Sequence, residues 1–144
     1  MRIVESESIQ TLLEKGSVVI STGGGGIPVV RNDQGLYRGV AAVIDKDRSA
    51  LQLAKDIDAD VLVILTDVSN VYINYGQKNQ EKLESITVAQ AQKHMSDGQF
   101  SDGSMGPKVE ACIAFASMGK TAIICSLDKA LEALQGTSGT RIVG

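Results

Sequence analysis

Val61 to Thr66 reads V-L-V-I-L-T, six residues with five branched or long apolar side chains and a closing hydroxyl. A continuous apolar run of this length suits a strand in a parallel sheet covered on both faces. Around it, helical and strand patterns alternate. Ile9, Leu12 and Leu13 repeat at helical spacing and Gly16 stops them. Ser17 to Thr22 reads as a short buried strand through Val18, Val19 and Ile20, and Val40 to Ile44 is short and apolar. Asp45 is placed to cap a helix carrying Ala50, Leu53, Ala54 and Ile57 on one face. Thr87 and Gln90 form a capping box for a helix to Met95. Pro107 opens another, which buries Val109, Cys112, Ile113 and Ala116 and ends at Gly119. Ala122 to Cys125 is a strand, Leu127 to Leu134 a helix and Thr140 to Val143 a last strand, while Arg31 to Gly39 and Gln77 to Lys82 read as polar loops. This alternation predicts one α/β domain, an α/β sandwich with a mainly parallel sheet.

Composition excludes several function classes. With a net charge of −3 there is no general basic field for nucleic acid, and the three tyrosines and two phenylalanines show no stacking pattern. No apolar run approaches the roughly 20 residues of a membrane span. The start, M-R-I-V-E-S-E, lacks the basic head and apolar core of a signal peptide, which predicts a cytoplasmic protein. Cys112 and Cys125 lie far apart among apolar neighbours and read as buried free thiols rather than metal ligands. His94, the single histidine, reads as a surface residue near a helix C-terminus.

Three segments where strands meet helices carry the chemistry. Asp102 to Glu110 is D-G-S-M-G-P-K-V-E: a loop with Gly103 and Gly106, then Pro107 and Lys108 in a first helical turn. Free backbone N–H groups at such a turn hold phosphate, and a lysine there opposes the helix dipole until an anion binds. A glycine-rich turn with a solvated lysine explains the same residues. Gly23, Gly24, Gly25 and Gly26 follow a strand pattern, the place where open α/β sheets take their ligands. They match neither a dinucleotide fingerprint nor a P-loop. Four consecutive glycines are costly to order, which favours close approach of backbone to a substrate over a flexible turn. Lys46 lies between Asp45 and Asp47, either held for chemistry or part of a solvated helix start. Thr66 and Asp67 end the strand pattern, and the Val71, Tyr72 patch beyond suits a ribose and a base, as loop packing also would.

The motifs S-T-G-G-G-G-I-P-V-V, V-I-D-K-D, L-T-D-V-x-N-V-Y and G-S-M-G-P-K-V-E-A follow one another as they do in carbamate kinases of the amino acid kinase superfamily. The resemblance runs from about Val4 to Val143, and G-S-M-G-P-K-V-E-A is its most specific part. Uridylate and acetylglutamate kinases share the fold but not this set of motifs. The resemblance implies a three-layer αβα sandwich, a homodimer, and phosphoryl transfer between ATP and carbamate with Mg2+, run towards ATP in arginine or purine catabolism. By position, Lys46 matches the lysine on the transferring phosphoryl group, Asp47 the carboxylate that orients the catalytic lysines, and Lys108 the lysine on the nucleotide phosphates. Thr66, Asp67, Val71, Tyr72, Ser104, Met105 and Gly106 fall where the family cradles the nucleotide, and Gly23 to Gly26 near the carbamate and phosphoryl region. A nucleotide cleft lined by Asp67, Tyr72, Met105 and Lys108 is therefore expected.

The chain also departs from the pattern. Family members are roughly twice as long, and residues 1–144 resemble the C-terminal, ATP-binding half, without the first G-G-N phosphate loop, a further catalytic lysine and much of the carbamate pocket. Ser69 replaces a frequent aspartate, and Arg48 stands where an apolar residue is common. The resemblance thus implies either an enzyme portion that works with an N-terminal half or a non-catalytic nucleotide-binding module. In both cases exposed sheet edges predict an oligomeric or partner-seeking chain.

Overall fold

In the computed structural model, which describes residues 2–144, the chain divides into two compact units, Met1–Asp58 and Ala59–Gly144. The first holds helix α1 (Ser6–Glu14), strands β1 (Val29–Arg31) and β2 (Tyr37–Gly39), and helix α2 (Lys46–Asp56). β1 and β2 form an antiparallel hairpin, so that β2 and the end of β1 fall in the Arg31 to Gly39 stretch expected to be loop. Asn32 makes that turn, its Oδ1 accepting from the amides of Gln34 and Leu36. Asp45 caps α2 as its position predicts, Oδ1 accepting from the amides of Asp47 and Arg48 at 2.9 and 3.0 Å.

Ser17 to Thr22 is not a strand. No residue of the segment pairs in a ladder, and Val18 and Ile20 are 96% and 97% exposed. Apolar pattern alone makes a strand only when a neighbouring strand takes its N–H and C=O groups. Among the described apolar side chains of this unit, only Ile9 and Ala54 are buried.

The second unit contains strands β3 (Val61–Thr66), β4 (Val71–Ile73), β5 (Glu81–Leu83) and β6 (Ser85–Thr87), then helices α3 (Val88–Ser96) and α4 (Met105–Ala116). Strand β7 (Thr121–Ser126), a short 3-10 turn, helix α5 (Ala130–Leu134) and strand β8 (Thr140–Val143) complete it. Four strands form a sheet in the order β3-β7-β8-β6. β3 pairs in parallel with β7, from Val61 opposite Thr121 to Thr66 opposite Ser126, and β6 in parallel with β8. Only the β7–β8 ladder is antiparallel, so the sheet is mainly parallel, as expected.

The strand buried on both faces is β7, where Ala122, Ile123, Ile124 and Cys125 are all inaccessible. β3, expected in that role, alternates instead. Leu62 and Ile64 are buried while Val61 and Leu65 stay partly exposed, because β3 ends the four-strand order. On its exposed side α5 is only five residues long, and Val63 packs against the cluster of Ile123, Cys125 and Ala133. α4 packs against β7, β8 and β3, with α3 beside it, and buries Val109, Cys112, Ile113 and Phe115. Both cysteines are free and buried, and burial raises the Cys125 thiol above its ordinary pKa. Among the described residues, no helix is long and apolar enough to cross a membrane.

β4 and β5 form a separate antiparallel hairpin, so Glu81 and Lys82 belong to a strand rather than the expected loop. A buried polar knot fastens this hairpin to the sheet. Asn70 Nδ2 donates to the carbonyls of Gly139 at 2.6 Å and Leu83 at 3.1 Å. The Val71 amide donates to Thr140 Oγ1 at 2.8 Å, and that hydroxyl donates onward to the Leu83 carbonyl. Asn70 and Thr140 are both buried, so each lost partner leaves a desolvated group behind. Asn70→Ala should therefore destabilise the second unit by about 2–4 kcal/mol, and Thr140→Val by about 1–3 kcal/mol. Urea midpoints lowered accordingly are expected. Midpoints equal to wild type would contradict the knot's structural role.

Candidate functional site

In the first unit the glycine run folds back on the start of α2. Gly25 has φ +141°, and a Cβ added there would stand 2.0 Å from the Ile44 carbonyl oxygen, so only glycine fits. The buried hydroxyl of Ser49, in the first turns of α2, donates to the Gly25 carbonyl at 2.6 Å. Thr22 adopts φ +60°, an unusual conformation for a β-branched residue. Lys46 begins α2 with its side chain 59% exposed and its Nζ 3.7 Å from Asp47 Oδ2, whose side chain is 8% exposed. The glycine loop, the lysine and the carboxylate thus share one end of one helix. Beside them lies a cavity of about 760 Å³ lined by Ser21, Thr22, Gly25, Gly26, Ile44 and Ser49, among others. Gly23 and Gly24 do not line it.

In the second unit a cavity of about 580 Å³ opens beyond the C-terminal end of β3. Asp67, Tyr72, Ser104 and Met105 line it, residues from two separate stretches that the sequence had singled out. Thr66 stands behind it, its hydroxyl donating to Asp67 Oδ1 at 3.0 Å, and Val71 is fully buried beneath. Gly106 is needed at the turn into α4. Its amide donates to the Ser101 carbonyl at 2.8 Å, and a Cβ would lie 2.9 Å from the same oxygen. α4 itself starts at Met105, ahead of Pro107, with no side-chain cap. Lys108 lies in its first turn, 7% exposed, and is not part of this cavity's wall.

Asn74, Tyr75 and Gln99 are among the lining residues that escaped sequence reasoning. Asn74 has φ +53°, and its amide donates to Gln99 Oε1 at 2.7 Å, which ties the end of β4 to the loop before α4. Tyr75 faces Tyr72, ring centroids 5.9 Å apart and tilted by 52°. Neither Asn74 nor Gln99 carried a local signal beyond polarity; Tyr75, three residues beyond Tyr72, could have been added to the aromatic patch. The departure at Ser69 has a local consequence: its hydroxyl is 3.1 Å from the Tyr72 hydroxyl and hydrogen-bonded to it. His94, expected on the surface, is half-buried and meets Phe100 edge-on, centroids 6.5 Å apart.

The titratable groups with clear shifts lie outside both cavity walls. Lys82 is raised and Glu84 lowered by their mutual hydrogen bond, and the Ser126 hydroxyl lowers Asp128. The hydrogen bond between Lys129 and Glu132 raises the first and lowers the second. Among the described residues, no three His, Cys, Asp or Glu side chains gather to hold a metal.

A mainly parallel sheet with a cavity beyond the carboxyl end of a strand places the second unit among the α/β proteins. The amino acid kinase family model matches residues 1–126, and the chain belongs to that family. Within it the similarity is to carbamate kinases. The Halobacterium salinarum carbamate kinase is 53% identical over 142 residues, 98% of this chain and 46% of the relative. That of Staphylococcus haemolyticus is 49% identical over 144 residues, 99% of this chain and 46% of the relative. The solved carbamate kinase from Giardia lamblia bound to AMP-PNP superposes with a TM-score of 0.96 at 47% identity, covering 99% of this chain and 50% of that one. The chain spans about half the length of the relatives it matches.

The geometry at Gly25 leads to a specific expectation. Gly25→Ala should cost more than about 2 kcal/mol through backbone strain and the clash with Ile44. It should also abolish the hydrogen-exchange protection of the α2 amides. Wild-type stability and unchanged α2 protection would contradict the close approach.

Proposed function

We propose that the second unit binds adenine nucleotide and that the chain is the nucleotide-handling part of a carbamate kinase, moving phosphoryl between ATP and carbamate. The observation that carries this is the cavity beyond β3, which gathers Asp67, Tyr72, Ser104 and Met105 from distant parts of the sequence. Asp67 offers a carboxylate to ribose hydroxyls, and Tyr72 with Tyr75 offers an aromatic wall to the base. The AMP-PNP carried by the Giardia structure supports the same reading. Thr66 and Val71 hold this wall from behind, and Gly106 sets the turn that presents Ser104 and Met105. Lys108 is assigned to the nucleotide phosphates.

In the first unit, Lys46 is assigned to the transferring phosphoryl group, where its charge would stabilise the developing negative oxygens. Asp47, 3.7 Å away and buried, would hold that ammonium in one orientation. Gly23 to Gly26 are assigned to the carbamate and phosphoryl end, where backbone without side chains can approach a small substrate. Mg2+ is assigned to the nucleotide, where the phosphates would coordinate it. The bound ion would neutralise phosphate charge. A cytoplasmic location, a role in arginine catabolism and a dimer or a complex with the rest of a family-length chain belong to the same proposal.

A non-catalytic nucleotide-binding module is the second reading. It is supported by the chain's spanning half the length of its relatives, since phosphoryl transfer depends on complete positioning. Two measurements separate the outcomes. Calorimetric titration should detect MgADP binding at millimolar concentrations or below; silence there would remove the nucleotide site. ATP formation from carbamoyl phosphate and MgADP should be very slow with this chain alone and rise when the remaining part of a carbamate kinase is added. Lys46→Ala should then lower that rate by about 10²–10³-fold while leaving MgADP affinity intact. Brisk turnover by this chain alone that survives Lys46→Ala would overturn the assignment. Binding without turnover under every condition would establish the module.

A further inference from the structure

Tyr72 is held at both ends. Its backbone belongs to β4, where it stands opposite Lys82 of β5. At the far end of the side chain its hydroxyl is 3.1 Å from the Ser69 hydroxyl and hydrogen-bonded to it. Between these ends the ring meets that of Tyr75, centroids 5.9 Å apart. A strand fixes the backbone but leaves the side-chain torsions free to change rotamer; a bond at the hydroxyl removes that freedom. The turn that carries Ser69 is itself fixed on both sides. Before it, Thr66 Oγ1 donates to Asp67 Oδ1 at 3.0 Å. After it, the buried Asn70 side chain donates to the Gly139 and Leu83 carbonyls. A hydrogen bond between two exposed hydroxyls gains little over their bonds with water. Here the backbone already sets both partners, so forming the bond orders little else. Asp67, Tyr72 and Tyr75 line the cavity beyond β3, and Ser69 does not. Its hydroxyl reaches the cavity only through the Tyr72 ring.

We infer that Ser69 is a positioning residue of this cavity: its hydroxyl holds the Tyr72 ring in the orientation that receives a planar base. The inference rests on the nucleotide reading above and adds to it a residue that tunes affinity without touching the ligand. An aromatic side chain that is already fixed loses less freedom when a base packs on it, and the saving appears as tighter binding. A loose ring would have to be ordered by the ligand itself. The chemistry of serine suits the task. Its hydroxyl accepts or donates, so it pairs with a phenol in either direction, and it adds no negative charge beside Asp67. An aspartate, frequent at this position in carbamate kinases, accepts only and would bring a second carboxylate to the turn. The device thus belongs to a departure of this chain from the family pattern.

The test is a double-mutant cycle of Ser69→Ala, Tyr72→Phe and the two combined, read by MgADP titration and by aromatic spectra of tyrosine-labelled protein. Ser69→Ala should weaken MgADP binding by about three- to tenfold. Tyr72→Phe, which keeps the ring and removes its anchor, should do the same, and the double variant should bind no more weakly than either single one. Ser69→Thr, which keeps the hydroxyl, should retain wild-type affinity. Without nucleotide, cross-relaxation between the Tyr72 and Tyr75 rings should fall in Ser69→Ala and be kept in Ser69→Thr. Ser69 is exposed, so both of its variants should unfold at the wild-type urea midpoint. Four results would overturn the inference and leave the nucleotide site standing. They are a Ser69→Ala chain with wild-type rings and affinity, losses that multiply in the double variant, a Ser69→Thr chain as weak as Ser69→Ala, and a midpoint that falls together with affinity. Silence of the wild-type chain toward MgADP would instead overturn the nucleotide reading, and the inference with it.

Discussion

The hydrogen bonds of Asn70 and Thr140 hold the second unit's site in place. Both side chains are buried, and between them they bind the Leu83 and Gly139 carbonyls and the Val71 amide. These partners lie 13, 69 and 57 residues apart in sequence, so the knot joins the β4–β5 hairpin to the loop before β8. A desolvated amide with two acceptors tolerates little displacement, since losing either exposes the full cost of an unpaired polar group. Val71 sits on this knot and Tyr72 follows it, so the aromatic wall of the cavity inherits its position from a buried asparagine. Gln99 closes the opposite side through the Asn74 amide.

The two units solve the burial problem unequally. The second wraps β7 between α4 and α5 and buries apolar side chains from β3 to Ile142. The first keeps Ser49 and Asp47 buried and its glycine loop fixed, yet leaves Val18, Ile20, Ile27 and Val43 in water. Local polar geometry there is settled while these apolar side chains stay exposed. Capping by Asp45 and the Ser49–Gly25 bond are short-range and survive without a sheet; strand pairing is long-range and needs its neighbour.

That difference also explains what could be read from the residues. Caps were legible because their signals are local: Asp45 and the Thr87–Gln90 box stand where the pattern places them, while α4 starts at Met105, two residues ahead of the expected Pro107. The strands β3 and β7 followed from apolar runs, and the mainly parallel sheet from the alternation of helices and strands. Ser17–Thr22 was misread because a run such as V-V-I is equally apolar whether or not a partner strand is present. β1, β2 and β5 were missed because three-residue strands whose side chains are mostly exposed resemble polar loops. Four cavity residues were foreseen, but Asn74 and Gln99 act through one backbone contact across 25 residues, which no local pattern reports. Nor could spacing tell that Lys108 would be buried in its helix turn.

The central claim is that the cavity beyond β3 is where nucleotide sits. Amide chemical-shift mapping of the labelled chain during MgADP addition tests it most directly. The account predicts perturbations concentrated at Asp67, Tyr72, Asn74, Gln99, Ser104 and Met105, with the β8 and α5 amides unmoved. Saturable perturbations elsewhere that leave these six unmoved would contradict it.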